Sequence, residues 1–589
     1  VKVCLGQINT TPGDFEGNFD RIKAGIDSAS RQDADLVVFP ELSIPGYLSQ
    51  DLMYHPTYIE TNLSYLKAIT LYANSVSTSL YVIVGYIDRS SKVGGKPFAN
   101  MAAVIHQGAI VAKYQKQLLP FYDVFDELRY FEPGDDLCIL EIAGRQVGVA
   151  ICEDLWNDKG SDDYNYANNP LKQYREKGVD TIVSLNSSPY IQGKPWQRLK
   201  VIGPNSKPDV TIIYVNQRGG QDELVFDGHS FVLSDDDLIH VTNEPFEDSC
   251  QMVDLTSGGT PMLRDVSKDQ NRDLVESHTS TLFDMLVLCL RDYVHKQGFQ
   301  EVVLASSGGV DSALVAVLAC HAVGARNVHT LRMPSIYSSQ HSKDDALQLH
   351  GNLGCWDYQV PIEHMSLVNE LNARFSIHGS DTDNLVTRKA ESNQYYSVAD
   401  ENIQARLRDL YVMHFSNAYG ALPLATGNKT ESACGYYTHF DMNFAFAPIK
   451  DLYKFQVVDL VRSNPLVPEN IWKKPPSAEL STGQTDEESL LPYAYLDPIV
   501  KSHIEDYVST FRAFRQWIDE KAAAVESVSA DPKDLQAWLD TPRAKADYDR
   551  IIKLIGRMEF KRRQTCPGTK TSKVAFGIGR RIPIVEKWS

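Results

Sequence analysis

Short apolar runs recur along the first 255 or so residues, each broken by polar or turn-forming stretches. Val1–Ile8, Leu36–Phe39, Leu80–Gly85, Val147–Ile151, Thr181–Leu185 and Thr211–Asn216 read as strands. After Asn18 the period changes, and Phe19, Ile22, Ile26 and Ala29 fall on one face of a helix. Apolar strands separated by helices predict an α/β architecture with a buried sheet. The pattern then breaks. Ser257–Pro261 is turn-rich and Arg264–Asp273 is polar and charged. A second α/β unit follows, with an apolar helix at Leu282–Val294, a strand at Val302–Ala305, a Gly-rich turn and a helix at Ala313–Ala322. These shifts place one domain at 1–258, a linker at 259–275 and a second domain at 276–589. The segment from Arg512 to Ala546 is rich in Ala, Asp, Glu and Lys and reads as exposed helices embellishing the second domain.

Composition narrows the class. With 589 residues the chain is too long for one ordinary domain, and 43% hydrophobic with 23% charged residues is ordinary for soluble globular protein. No apolar run has the length of a membrane span, and the first residues show no signal-peptide pattern. Nine scattered cysteines without a CxxC pair suggest neither a zinc site nor a disulfide framework, which fits a reducing, cytoplasmic setting. A net charge of −18 argues against a general nucleic-acid binder. An anionic nucleotide substrate would need basic residues gathered locally, from Lys429, Lys450, Lys454, Lys473, Lys474 and Lys561-Arg562-Arg563.

The first chemical signal is Ser306-Ser307-Gly308-Gly309-Val310-Asp311-Ser312, between a strand and a helix. Adjacent glycines let the backbone approach a ligand, and the N-terminus of the next helix suits phosphate. The hydroxyls of Ser307 and Ser312 add donors, and Asp311 is placed to hold Mg2+ against phosphates. No lysine follows the glycines, so this is not the GxxxxGK[ST] loop. It resembles the SGGxDS loop of the ATP pyrophosphatase superfamily, whose members release AMP and diphosphate.

Further segments select within that superfamily. Met333–Ser339, Glu401–Arg408, Ala425–Thr438, Ala447–Lys454, Lys474–Leu480, Thr485–Glu488 and Phe560–Gln564 resemble the synthetase domain of NAD synthetases. The resemblance implies a Rossmann-like parallel sheet. It also implies that Thr426 contacts ATP, that Asn402, Glu431 and Lys561 contact deamido-NAD, and that Asp311 and Glu431 bind Mg2+. A carboxylate such as Glu431 beside a polyanion makes sense with a cation between them. One departure stands out. Family members carry glycines after the Asp-Met matching Asp441-Met442, where this chain has Asn443-Phe444-Ala445-Phe446, so the loop is expected to pack differently.

A second constellation lies in the first domain. Glu41 follows an apolar strand, Lys116 opens YQKQLLPFYDVFDELRYF after its first two residues, and Cys152 ends the strand of GRQVGVAICEDLW. Amide hydrolysis needs a nucleophile, a base and an oxyanion partner, which are the chemistries of thiol, carboxylate and ammonium. Alone, each residue reads as core, cap or surface charge. Together, in this order, they resemble the nitrilase superfamily of four-layer αββα sandwiches, and LLPFYDVFDELRYF resembles its glutaminase branch in NAD synthetases. That resemblance implies that Tyr122, Glu153, Ser188 and Lys194 bind glutamine.

A glutaminase joined to an ATP pyrophosphatase implies a ligase of the glutamine-dependent NAD synthetase family. The expected reaction converts deamido-NAD, ATP, glutamine and water to NAD, AMP, diphosphate and glutamate. It runs through a glutamyl thioester on Cys152, an adenylated carboxylate and ammonia carried between sites. The rivals are the same architecture acting on another carboxylate, a nucleotide-binding protein without turnover, and an enzyme accepting only free ammonia. The family also implies a homo-oligomer, at least a dimer, with small-molecule substrates and neither nucleic acid nor membrane as partner.

Overall fold

The computed structural model describes residues 1–157, 166–256, 261–277, 279–374, 394–439, 444–481, 490–521, 525 and 532–585. Asp441-Met442-Asn443 and Thr485–Glu488, singled out above, lie outside the described residues. The chain divides into two compact units, 1–288 and 289–589.

The strands of the first unit are β1 (Lys2–Gln7), β2 (Leu36–Val38), β3 (Tyr81–Arg89), β4 (Phe98–His106), β5 (Ala109–Gln115), β6 (Ile139–Ile142) and β7 (Arg145–Ile151). They continue with β8 (Thr181–Asn186), β9 (Thr211–Asn216), β10 (Arg218–Gln221), β11 (Leu224–Asp227), β12 (Phe231–Ser234), β13 (Asp237–Val241) and β14 (Ser249–Asp254). One six-stranded sheet runs β14-β1-β2-β3-β4-β5, the other β13-β12-β9-β8-β7-β6, and β10-β11 form a hairpin. Pairings are parallel at the centre, β1-β2-β3 and β7-β8-β9, and antiparallel outside.

Alternation along each central strand explains the four layers. Val3, Leu5, Leu36, Val38 and Ile83 meet Val147, Val149, Ile151, Val183 and Leu185 in the core between the sheets. Their neighbours Cys4, Val37, Val82 and Val84 face the other way, onto Ile22, Ile26, Leu66 and Ile69. Those four belong to the helices Phe15–Arg31 and Pro56–Val76. The second sheet covers its outer face with Leu171, Tyr174, Leu199 and Ile202. A strand buried on both faces has no polar side, so it reads as a continuous apolar run.

Residues 261–277 are polar in sequence yet pack on this unit. Leu263 bridges Leu238, Val266 and Val275 are buried, and Arg272–Ser277 is helical.

The second unit carries β15 (Val302–Ala305), β16 (Val328–Arg332), β17 (Trp356–Gln359) and β18 (Leu422–Leu424), all parallel, in the order β17-β16-β15-β18. The order reverses between β15 and β18, the position where doubly wound sheets open a crevice at their carboxyl ends.

The region from Arg512 to Ala546 corrects the expectation of exposed helices. Phe514, Trp517, Leu535, Trp538, Leu539 and Ala544 are buried and share a core with Tyr548, Ile551, Leu496 and Ile499. Their polar neighbours dominate the composition, but the apolar stripe at helical spacing forms a bundle core. The loop without glycines also packs closely. Phe446 is fully buried, bridges Leu424 and stacks on Tyr293 at 4.1 Å between ring centres.

Candidate active sites

Three of the candidate side chains of the first unit sit where a strand ends. β2 leads into Pro40-Glu41-Leu42, β5 into Lys116, and β7 into Cys152. Gly85 on β3 makes room for the Glu41 turn, because a Cβ there would lie 2.3 Å from Leu42 N and 2.7 Å from Pro40 O. Cys152 holds φ at 45°, in the left-handed region, and opens a short 3-10 turn, Cys152–Leu155. A non-glycine residue there is strained by roughly 1–3 kcal/mol, a feature that clusters at functional sites.

Glu41 and Lys116 are fully buried and Cys152 is 6% exposed. Lys116 Nζ donates to Glu41 Oε1 at 2.6 Å and to Glu127 Oε2 at 2.8 Å. Asn100 Nδ2 donates to Glu41 Oε1 at 2.7 Å, and the Ser187 amide donates to Glu41 Oε2 at 3.2 Å. Tyr47 OH donates to Glu127 at 3.0 Å. Burial pulls the Lys116 ammonium down, but the charges of Glu127 and Glu41 outweigh it and hold its pKa well above the usual value. Burial pushes Glu127 up to about 7 against the pull of Lys116. Burial, then the Glu41 charge, pushes the Cys152 thiol well up, with Lys116 opposing. A thiol held this way would need a base to take its proton before it could act as a nucleophile.

Asp154 ties these pieces together. It accepts from the amides of Ile151, Gln117 and Leu118 at 2.9, 3.1 and 2.9 Å and from Tyr114 OH at 2.9 Å. One carboxylate thus clamps the Cys152 turn to the Lys116 loop.

The residues implied for glutamine fall in two groups. Tyr122 OH donates to both Glu153 oxygens at 2.9 Å, and Tyr166 OH donates to Oε1 at 3.0 Å. Lys194 begins the helix Lys194–Ile202 after Gly193, with its ammonium 4.2 Å from the Trp156 ring centre. Ser188 is buried, next to the Ser187 that contacts Glu41. Its Oγ accepts from Arg198 Nε at 3.3 Å, and Arg198 is paired bidentately with Asp227.

In the second unit β15 leads into the loop and then the helix Val310–Val323, whose N-cap is Gly309. Gly308 has φ of 77°, and a Cβ there would lie 2.2 Å from Ser342 O, so both conformation and space require glycine. Ser307 Oγ accepts from Gly309 N at 3.1 Å and lies 3.2 Å from Ser312 Oγ. β18 leads into Thr426 and then Asn428, which caps the helix Lys429–Cys434 in a reciprocal box with Glu431. Because β15 and β18 are neighbours, their loops meet. Asn428 Nδ2 donates to Asp311 at 2.8 Å, and Lys454 Nζ donates to Asp311 and, at 3.3 Å, to Glu431. Two carboxylates thus converge on one cation, a donor pair suited to Mg2+ as well. No cluster of more such groups occurs among the described residues.

The deamido-NAD candidates gather on the segment after that helix. Thr438 Oγ1 donates to Asn402 at 2.5 Å, and Lys561 Nζ donates to the carbonyls of Gly435 and Tyr437 at 2.9 and 2.8 Å. Burial, then Arg406, lowers the Lys561 pKa.

The other basic candidates divide. Lys429 is fully buried and paired with Asp451 and Glu505, and Arg562 is buried against Glu559, so both build the fold. Lys450 donates to Cys566 O, Lys473 pairs with Glu469, Lys474 contacts Ser342 and Arg563 pairs with Glu559. Sequence reasoning did not single out Asn100, Glu127 or Asp154, nor Lys454 as the partner of Asp311. A polar residue inside the apolar β4 and acids within the quoted motifs were the available signals.

Residues 2–262 match the carbon-nitrogen hydrolase family and residues 282–530 match NAD synthase. The glutamine-dependent NAD(+) synthetase of Thermotoga maritima is 35% identical over 100% of this chain and 99% of its own length. That of Synechocystis is 35% identical over 99% and 98%. The solved glutamine-dependent NAD+ synthetase of Acinetobacter baumannii, in complex with ADP, is 30% identical over 100% of this chain and 99% of that one, with a TM-score of 0.67. A carbon-nitrogen hydrolase half and an NAD synthase half, aligned end to end with these relatives, make this chain a member of the glutamine-dependent NAD(+) synthetase family.

Proposed function

We propose that Cys152, Glu41 and Lys116 release ammonia from glutamine, and that the loop Ser306–Ser312 binds the ATP that activates the acceptor carboxylate. The single observation that carries the first half is the buried charge set behind the strained Cys152 turn. Glu41 takes the thiol proton as sulfur bonds to the amide carbon, and Lys116 faces the oxyanion that forms. Glu41 returns the proton to the leaving ammonia. Water then attacks the thioester, giving glutamate and free thiol. Glu153, held by Tyr122 and Tyr166, suits the substrate ammonium. Lys194 suits its carboxylate, and Ser188 supplies a hydroxyl from the segment beside Glu41.

At the second site, the amides of Ser307, Gly308, Gly309 and Val310 and the hydroxyls of Ser307 and Ser312 cradle the ATP phosphates, with Lys454 and Thr426 alongside. Asp311 and Glu431 would hold Mg2+, which neutralises charge on the departing diphosphate. The deamido-NAD carboxylate attacks the α-phosphorus, diphosphate leaves, and ammonia displaces AMP to give NAD. Asn402 and Lys561 position the dinucleotide.

The test is one mass-spectrometric assay with Mg-ATP, deamido-NAD and glutamine labelled with heavy nitrogen in its amide. Labelled NAD with AMP is expected. Glutamate and AMP without NAD would overturn the acceptor assignment, and no turnover with glutamine or ammonium would overturn both site assignments.

A further inference from the structure

Behind the phosphate loop, β15, β16, β17 and the helix Gln340–Leu353 enclose a hydrogen-bond chain that the chemistry above does not use. His350 Nε2 lies 2.8 Å from Ser306 Oγ, and Nδ1 lies 2.5 Å from Asp357 Oδ1. Arg332 donates through Nε and NH2 to the two Asp357 oxygens, each at 2.6 Å. Ser306 is 4% exposed and His350 is 1% exposed.

The chain has one consistent proton arrangement. Arg332 already neutralises Asp357, and burial pushes the imidazole below its ordinary range, with Asp357 opposing and Arg332 adding to the shift. A neutral imidazole has one donor and one acceptor. Nδ1 faces a carboxylate, which only accepts, so Nδ1 carries the hydrogen. Nε2 is left as acceptor, and the Ser306 hydroxyl donates to it. The Ser306 amide donates to Leu331 O at 2.9 Å. Both donors of Ser306 are thus spent on the scaffold, and the groups facing phosphate begin at Ser307. The same helix touches the loop a second time, where Ser342 O lies against Gly308.

We propose that His350 is a positioning residue for the ATP half-reaction: through Ser306 it fixes where the backbone leaves β15, and so where the amides of Ser307–Gly309 point. This rests on the reading of Ser306–Ser312 as the ATP loop. A cavity of about 580 Å³ lined by Arg326, Trp356, Cys355, Asp357 and His350 gives solvent a route to the chain. The charged and titratable groups facing the imidazole are Asp357 and Arg332, with Arg326 across the cavity and Cys355 donating to the His350 carbonyl. A proton taken up there turns Nε2 into a donor and forces the Ser306 hydroxyl to rotate. ATP affinity therefore weakens as pH falls below the ordinary histidine value of 6.5.

The experiment is ammonium-driven NAD synthesis, which bypasses the first unit, with glutamine hydrolysis and a thermal melt as folding controls. His350→Ala is expected to raise the KM for ATP about tenfold with a much smaller change in kcat, the loss of one well-placed buried hydrogen bond. His350→Gln carries an amide oxygen to accept from Ser306 and an amide nitrogen to donate to Asp357. It is expected to restore the KM and abolish its rise at acid pH. An unchanged KM in His350→Ala overturns the proposal, as does equal impairment of the two variants, which would mark His350 as packing alone. Asp311→Ala in the same assay tests the loop reading separately, since undiminished synthesis there would remove the ATP loop itself.

Discussion

Cys152 could be read from sequence as a strand-end thiol, but its backbone at φ 45° could not. That strain presents the sulfur beyond β7, where burial and then the Glu41 charge raise its pKa against the pull of Lys116. Cys152→Ala is expected to abolish glutamine-driven synthesis and leave ammonium-driven synthesis intact, measured by NAD formation from each donor. Loss of both in a folded protein would break the division of labour. Glu127 shows why pattern reading stops short. It opens the 3-10 turn Glu127–Arg129, 11 residues beyond Lys116, and only the folded chain puts its carboxylate 2.8 Å from Nζ. Glu127→Gln leaves Lys116 with Glu41 as its remaining anion, and glutaminase kcat should fall on the order of 10²-fold. Ammonium-driven synthesis is the internal control for that variant. Glu41 and Lys116 were legible because each follows a strand within a recognisable motif. Asn100, Asp154 and His350 were not, because a single polar residue, whether alone in the apolar β4 or among other polar residues of a turn or helix, signals no partner.

Among the elements, the turn Ser306–Ser312 was the most legible, since strand, double glycine and helix are contiguous. Gly308→Ala tests its geometry. Positive φ and a clash with Ser342 O oppose any Cβ, so the variant should lose roughly 1–3 kcal/mol of stability. Its ATP KM should rise more than that of His350→Ala, as steady-state kinetics would show. The short helix Lys429–Cys434 is held from below. Lys429 Nζ pairs with Asp451 at 2.9 Å and Glu505 at 3.2 Å, and Tyr453 OH donates to Glu505 at 2.6 Å. Burial works against the Glu505 charge, but Lys429 and Lys501 outweigh it and hold its pKa at about 2, below the ordinary 4.5. A depressed carboxyl pKa stabilises the fold fully above pH 4.5, and that share drains away as pH falls towards 2. Glu505→Gln should therefore flatten the acid limb of the melting curve. It should also cost about 1–3 kcal/mol at neutral pH, because Lys429 keeps Asp451 but loses one of its two buried anions. Thermal melts across that pH range check both.

At the scale of the whole molecule, the two units carry separate cores, and damage to one should spare the other. Trp538 is 3% exposed in the helical core of the second unit. Trp538→Ala should cost about 3–5 kcal/mol there, visible by calorimetry as an earlier transition, while glutamine hydrolysis in the first unit continues. A simultaneous loss of hydrolysis would show that the cores are not independent. The sequence by itself determined the two α/β units, the strands at their centres, the strand-end places of Glu41, Lys116 and Cys152, and the strand–glycine–helix turn at Ser306–Ser312. Each is written in contiguous residues, and strands buried on both faces have no polar positions to blur them. Only the tertiary structure decided how those pieces are charged and aimed. Order β17-β16-β15-β18 brings Asp311 to Asn428, order β2-β3-β4 within one sheet brings Asn100 to Glu41, and the facing of the two sheets brings Ser187 to Glu41. Helical packing gathered Phe514, Trp517, Leu535, Trp538 and Leu539, scattered through a polar stretch, into a core. These are contacts between residues far apart in the chain, and their partners are set by sheet order and packing, which no local period records.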